Sequence, residues 1–185
     1  MALALGASTT KVRILHERPF NGVVEQWEFT CFASRLLWVQ VPPIPPYKGY
    51  IMLDCLILGD SIAVGTKMFK QECADYAKGG ITSHGWFKKY GNNDLSAKMV
   101  IISLGTNDWE KADTEAKLRT IRNKVKADKV FWIEPNIESK PDAVKHVNTV
   151  AKEFNDVVIK TTRWQKDKIH PSWAGYKSIA DNTRL

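Results

Sequence analysis

Leu53-Asp54-Cys55-Leu56-Ile57-Leu58-Gly59-Asp60-Ser61 is an apolar run of strand length that stops abruptly at Gly-Asp-Ser. Such a run, closed by glycine, is how a buried parallel strand hands its last residues to a loop. In open α/β sheets ligands bind beyond the carboxyl ends of the strands, which is where Ser61 falls. Alone, the stretch reads equally as an ordinary βα turn, with Asp60 or Ser61 capping a helix. The remainder of the chain decides between a turn and a site.

Downstream of Met52 the pattern is regular. Residues 53–58 read as a first strand, 66–73 as a helix and 74–77 as a short extended segment. A short amphipathic segment follows over 84–90. Residues 98–104 form a second apolar strand, and 114–125 carry Ala116, Leu118, Ile121 and Val125 at helical spacing. Strands over 129–133 and 156–160 flank a helix over 141–154, whose Pro141 sits in the first turn at little cost. A closing helix is read over 171–180. Strands alternating with helices predict an α/β fold, a parallel sheet of about five strands covered on both faces. Right-handed crossovers leave few topologies.

Residues 1–51 differ. They show no sustained period, and Pro42-Pro43-Ile44-Pro45-Pro46 interrupts the one strand-like run. Two readings stand: an irregular N-terminal segment on a stiff linker, or a mis-assigned upstream translation with Met52 as the initiator. Residues 52–185 form the domain under either.

The net charge of +7 admits a polyanionic partner. Lysines and arginines are interleaved with acids, however, as in Lys124, Lys126, Asp128 and Lys129. That is the texture of solvated helix faces, so no nucleic-acid partner is expected. The odd number of cysteines, with no metal spacing among Cys31, Cys55 and Cys73, predicts reduced and partly buried thiols, no metal and no cofactor. No apolar run reaches the roughly 18 residues of a membrane span, and Met1–Ala7 lacks the layout of a signal peptide. The expectation is a soluble, cytoplasmic protein, compatible with a bacterial or phage source.

Four segments at strand exits carry small polar residues: Gly59-Asp60-Ser61, Gly79-Gly80, Gly105-Thr106-Asn107-Asp108 and Asp167-Lys168-Ile169-His170. A parallel sheet sends all four to one edge. A serine hydroxyl needs a base to become a nucleophile, and His170 can be that base. Asp167, three residues earlier, can orient the imidazole. The Ser61 and Gly80 amides and the Asn107 side chain can hold an oxyanion. Trp109 and Trp173 flank two of the segments and could line a substrate site, although rim packing explains them equally. Glu134 and Asn136 sit at another exit of the same edge, for substrate or for a turn. His84 reads as a surface residue, and His146 as a helix residue at the solvent or rim.

These four blocks, in this order, resemble the SGNH or GDSL-type hydrolase superfamily, over residues 53–185. The resemblance implies a flavodoxin-like three-layer αβα sandwich. It also implies metal-free ester hydrolysis through an acyl-enzyme, with Ser61, His170 and Asp167 catalytic and with Ser61, Gly80 and Asn107 as oxyanion hole. Gly80 is preferred to Gly79 because Thr82 and Ser83 follow it at the usual spacing. There are departures: the Ser61-to-Gly80 interval is short, and Asp75 stands where an Asn is usual. The short loops suggest a shallow, open pocket for O-acetyl glycans or short-chain esters. The alternative is a non-catalytic glycan-binding or virion-associated protein on the same fold.

Overall fold

The computed structural model describes residues 52–109 and 113–184. The readings made for residues 1–51, and for Cys31, lie outside the described residues. Among the described residues five strands alternate with five helices: β1 (Leu53–Gly59), α1 (Ser61–Lys67), β2 (Ala74–Ala77), α2 (Ser83–Tyr90), β3 (Ser96–Ser103), α3 (Thr114–Lys124), β4 (Lys126–Ile133), α4 (Pro141–Glu153), β5 (Val157–Ile159) and α5 (Trp173–Asn182). All pairs are parallel, in the order β2-β1-β3-β4-β5. This is the doubly wound, flavodoxin-like order expected from the sequence.

Alternation along the buried strands builds two cores. Leu56, Leu58, Val100, Ile102, Val130 and Trp132 point to the face covered by α2, α3 and α4, where Trp86, Leu118, Ile121, Val147 and Val150 meet them. Ile57, Met99, Ile101, Phe131 and Ile133 point to the other face, against Ile62 and Ala63 of α1 and Tyr176 and Ile179 of α5. Three layers follow because each strand buries both its faces.

Two expectations for this region are corrected. The first helix is not 66–73. It starts at Ser61, because the Asp60 carboxylate accepts the Ile62 N–H at 2.9 Å and so caps the helix at once. Beyond Lys67 the chain runs in turns, with the Lys67 ammonium bound by the carbonyls of Gln71 and Cys73. The cysteines are not both free thiols: Cys55 and Cys73 form a disulfide. Leu56 pairs with Ala74 across β1 and β2, so the residues before them lie side by side, with Cα atoms 4.5 Å apart. Sequence spacing shows no such neighbourhood, because it depends on strand register. The closing helix also starts later than read, at Trp173 with Ser172 as cap. Pro171 instead makes an isolated antiparallel bridge with Trp164. No described helix is long and apolar enough to cross a membrane.

Candidate active site

Ser61 is the first residue of α1, delivered by a rigid exit. Gly59 has φ +149°, and a Cβ there would lie 2.0 Å from the Ser103 carbonyl oxygen. Only glycine allows β1 to pass β3 so closely while turning. Asp60 is fully buried, with its Oδ1 accepting from Ile62 N and from the Ser103 hydroxyl. Its Oδ2 has no partner. Burial pushes this carboxyl up to about 6, against the pull of those hydrogen bonds.

His170 arrives from the far side of the sheet, in the segment between β5 and α5. There two extended pieces fold back on each other through Gln165 N–H to His170 O (2.8 Å) and Ser172 N–H to Arg163 O (2.7 Å). At the tip, Asp167 Oδ1 accepts the N–H groups of Ile169 (2.9 Å) and His170 (3.0 Å). Its Oδ2 lies 2.7 Å from His170 Nδ1. The His170 hydrogen bond, then those two amides, hold the Asp167 carboxyl down at about 2. Across the edge, His170 Nε2 lies 2.9 Å from Ser61 Oγ. Residues 109 positions apart thus form one hydrogen-bonded line, Ser61–His170–Asp167. With Nδ1–H facing a carboxylate, Nε2 is free to accept the serine proton.

The three expected oxyanion donors are placed as follows. The Ser61 N–H precedes the first intrahelical bond of α1. Gly80 has φ +71°, and open space lies where a Cβ would be, so its backbone can meet a substrate directly. Asn107 donates one Nδ2 hydrogen to the Ile81 carbonyl at 3.1 Å, which fixes the amide and leaves the second hydrogen available. Asp108 ties these loops together. It accepts Ser83 N–H at 2.7 Å, Ser83 Oγ–H at 2.5 Å and Thr114 Oγ1–H at 2.9 Å. One carboxylate therefore joins the Gly80 loop, the Asn107 turn and the start of α3.

The remaining candidates divide. Trp109 is 78% exposed and lines a cavity of about 460 Å³ beside Gly105 and Asp108. Trp173 is also exposed, but its ring sits edge-on to Phe69 at 4.5 Å, so it belongs to an aromatic rim against the turns that follow α1. The Glu134 carboxylate is taken by Asn148 (2.7 Å) and Lys160 (3.4 Å). Of the other histidines, His84 is exposed and His146 is partly buried, its Nδ1 3.4 Å from Glu115.

Asn136, expected either at the substrate or in a turn, instead holds the loop that carries His170. It is buried, and its Nδ2 donates to the Lys168 carbonyl at 2.8 Å, which Ser139 Oγ–H also binds at 2.7 Å. Lys168 is one of two described non-glycine residues with positive φ, at 54°. The β4 exit thus clamps the residue that turns the chain between Asp167 and His170. The available signal was an Asn beside a Pro at a strand exit of this edge, which is too common to assign a partner.

No protein-family model matches the chain, and no curated protein matches it by sequence. Solved structures do match. A GDSL-like lipase from Bacteroides thetaiotaomicron VPI-5482 is 18% identical, over 70% of this chain and 84% of the other, with a TM-score of 0.52. The C-terminal catalytic domain of Streptococcus pneumoniae peptidoglycan O-acetyltransferase A is 17% identical, over 70% and 89%, with a TM-score of 0.51. At these identities the match speaks for the fold. It meets the resemblance carried by the four blocks: the chain has the α/β fold of the SGNH/GDSL-type hydrolases.

Proposed function

We propose that this protein is a serine hydrolase that cleaves carboxylic esters through an acyl-enzyme on Ser61. The observation that carries the proposal is the Ser61–His170–Asp167 line, with Oγ to Nε2 at 2.9 Å and Nδ1 to Oδ2 at 2.7 Å. The fold, shared with GDSL-like lipases, supports an enzyme of the hydrolase type.

In this reading Ser61 Oγ attacks the ester carbonyl carbon while its proton passes to His170 Nε2. Asp167 stabilises the imidazolium and keeps its orientation. The negative charge on the carbonyl oxygen meets the Ser61 and Gly80 N–H groups and the free Nδ2 hydrogen of Asn107. The C–O bond breaks, His170 returns the proton to the departing alcohol, and water releases the acid by the reverse route. The imidazole must be neutral to accept the proton. Asp167, held near 2, remains ionised throughout the working range.

The test is fluorophosphonate labelling together with p-nitrophenyl acetate turnover. Wild type should label and turn over. Ser61→Ala should abolish labelling and cost about 10⁴-fold or more in kcat, with unchanged thermal melting. A folded wild-type protein that neither labels nor hydrolyses overturns the proposal. It would favour the second reading, a non-catalytic glycan binder, for which exposed Trp109 is the supporting feature.

A further inference from the structure

The cavity of about 460 Å³ holds neither Ser61 nor His170 in its lining. It lies between the exit of β3 and the starts of α3 and α4, with Trp109, Ser139, Lys140, Asp142 and His146 among its walls. Two of its walls are continuous with the candidate catalytic edge. Gly105 and Asp108 bracket Asn107, and Ser139 donates to the Lys168 carbonyl between Asp167 and His170. The lining thus adjoins the segments that carry Asn107 and His170 without including Ser61 or His170.

We propose that this cavity binds a sugar unit, the alcohol half of the ester that Ser61 attacks. The inference rests on the ester-hydrolase reading and specifies its substrate as an acylated glycan. The volume is that of a small-molecule site, and an acetyl group would fill little of it. Its chemistry rejects an aliphatic chain. A chain would strip water from the Lys140 ammonium, the Asp142 carboxylate and the His146 imidazole and return no hydrogen bond. A pyranose returns those bonds through its hydroxyls, and its C–H face covers an aromatic ring such as that of Trp109. Trp109, at 78% exposed, has that face to offer.

His146 is prepared for such a partner. Its Nδ1 faces Glu115, and Glu115 is braced by Arg119 at 2.9 Å, which also binds Glu153 at 2.8 Å. With Nδ1 turned to Glu115, Nε2 is the imidazole nitrogen not engaged in that contact. Asp108 is the weaker ligand, since it already accepts three bonds from Ser83 and Thr114. Specificity is thereby assigned to Trp109, Asp142 and His146, and catalysis to residues outside the cavity.

The full chain and its Trp109→Ala and His146→Ala variants are compared on p-nitrophenyl acetate, p-nitrophenyl octanoate and acetylated cellobiose, xylobiose and chitobiose. Binding of the unacetylated disaccharides to Ser61→Ala is followed by ligand-observed NMR. The expected result is that at least one acetylated disaccharide is a substrate. Each variant should raise its KM about tenfold and leave p-nitrophenyl acetate within about twofold, and the matching disaccharide should bind Ser61→Ala but not Ser61→Ala/Trp109→Ala. Equal losses on sugar and p-nitrophenyl esters, octanoate as the preferred substrate with Trp109→Ala impairing it, or no saccharide binding would each overturn the subsite. Turnover of p-nitrophenyl acetate with no saccharide effect refutes the subsite alone. Failure of every ester with saccharide binding intact refutes the hydrolase and keeps the sugar site.

Discussion

The two sides of the candidate site are built by different physics. Ser61 leaves a strand buried on both faces, behind a fully buried Asp60 and a glycine pressed against the Ser103 carbonyl. His170 leaves a segment with little regular structure, where the side chains of Asp167 and His170 are 43% and 35% exposed. Apolar packing positions the first side. Hydrogen bonds position the second, several from residues about thirty positions away: Asn136 and Ser139 hold the Lys168 carbonyl. The place of Ser61 is therefore a property of the core, whereas the place of His170 is a property of a loop and can be loosened without unfolding the protein.

Gly59→Ala is the harshest way to break this contrast. A Cβ 2.0 Å from a backbone oxygen, at φ +149°, has no side chain to push aside. Destabilisation of about 4 kcal/mol or more is expected, visible as a large fall in denaturant midpoint or as insoluble protein. A well-folded variant would show that the β1 exit is less constrained than its packing implies.

Asn136→Ala should act on the other side. It removes one of two donors to the Lys168 carbonyl and also the acceptor for Glu138 N–H, for a stability cost of about 1–2 kcal/mol. The larger effect is expected in ester turnover: a fall in kcat of about tenfold or more with KM little changed, partly restored by Asn136→Gln, which keeps an amide donor, and not by Asn136→Asp, whose carboxylate cannot donate to the Lys168 carbonyl. A stability loss with kcat intact would mean that the clamp is structural only.

Asp60→Asn tests what burial costs on the rigid side. The folded-state value of about 6 lies above the ordinary 3.8, so the folded protein holds this proton more tightly than the unfolded chain. Stability is then lost as pH rises from about 4 to about 6, and the penalty stays constant above that. The amide cannot ionise and can still accept from Ile62 N–H and Ser103. Its Nδ2 replaces Oδ2 and becomes a donor facing the Thr106 hydroxyl. The variant should gain about 2–3 kcal/mol at pH 8 and little at pH 4 in parallel denaturant melts. An equal effect at both pH values would contradict the raised carboxyl.

Lys168→Gly is the mildest. Glycine adopts φ +54° without strain but gains entropy in the unfolded chain, so stability should change by less than about 1 kcal/mol. The contrast with Gly59→Ala is the point: a backbone exchange that the loop tolerates, the core does not.

The legibility of the site follows the same division. The strand exits could be read because apolar runs ending in Gly-Asp-Ser and Gly-Thr-Asn-Asp are local signals, and a parallel sheet sends such exits to one edge. The start of α1 was misread because a single capping carboxylate outweighs the apolar pattern of 66–73. The disulfide was misread because it depends on the β1–β2 register. Asn136, Ser139 and Asp108 could not be assigned as clamps, since their partners lie 25 to 32 positions away in sequence.

Binary patterning and strand-terminal residues, which act over a few positions, were sufficient for the sheet, its layers and the candidate residues Ser61, Asn107, Asp167 and His170. Tertiary packing alone decided which side chains bond to one another, that Cys55 meets Cys73, and that a polar cavity opens beside the edge. Those outcomes depend on distances between segments that meet only after the sheet closes, and no local pattern encodes such distances.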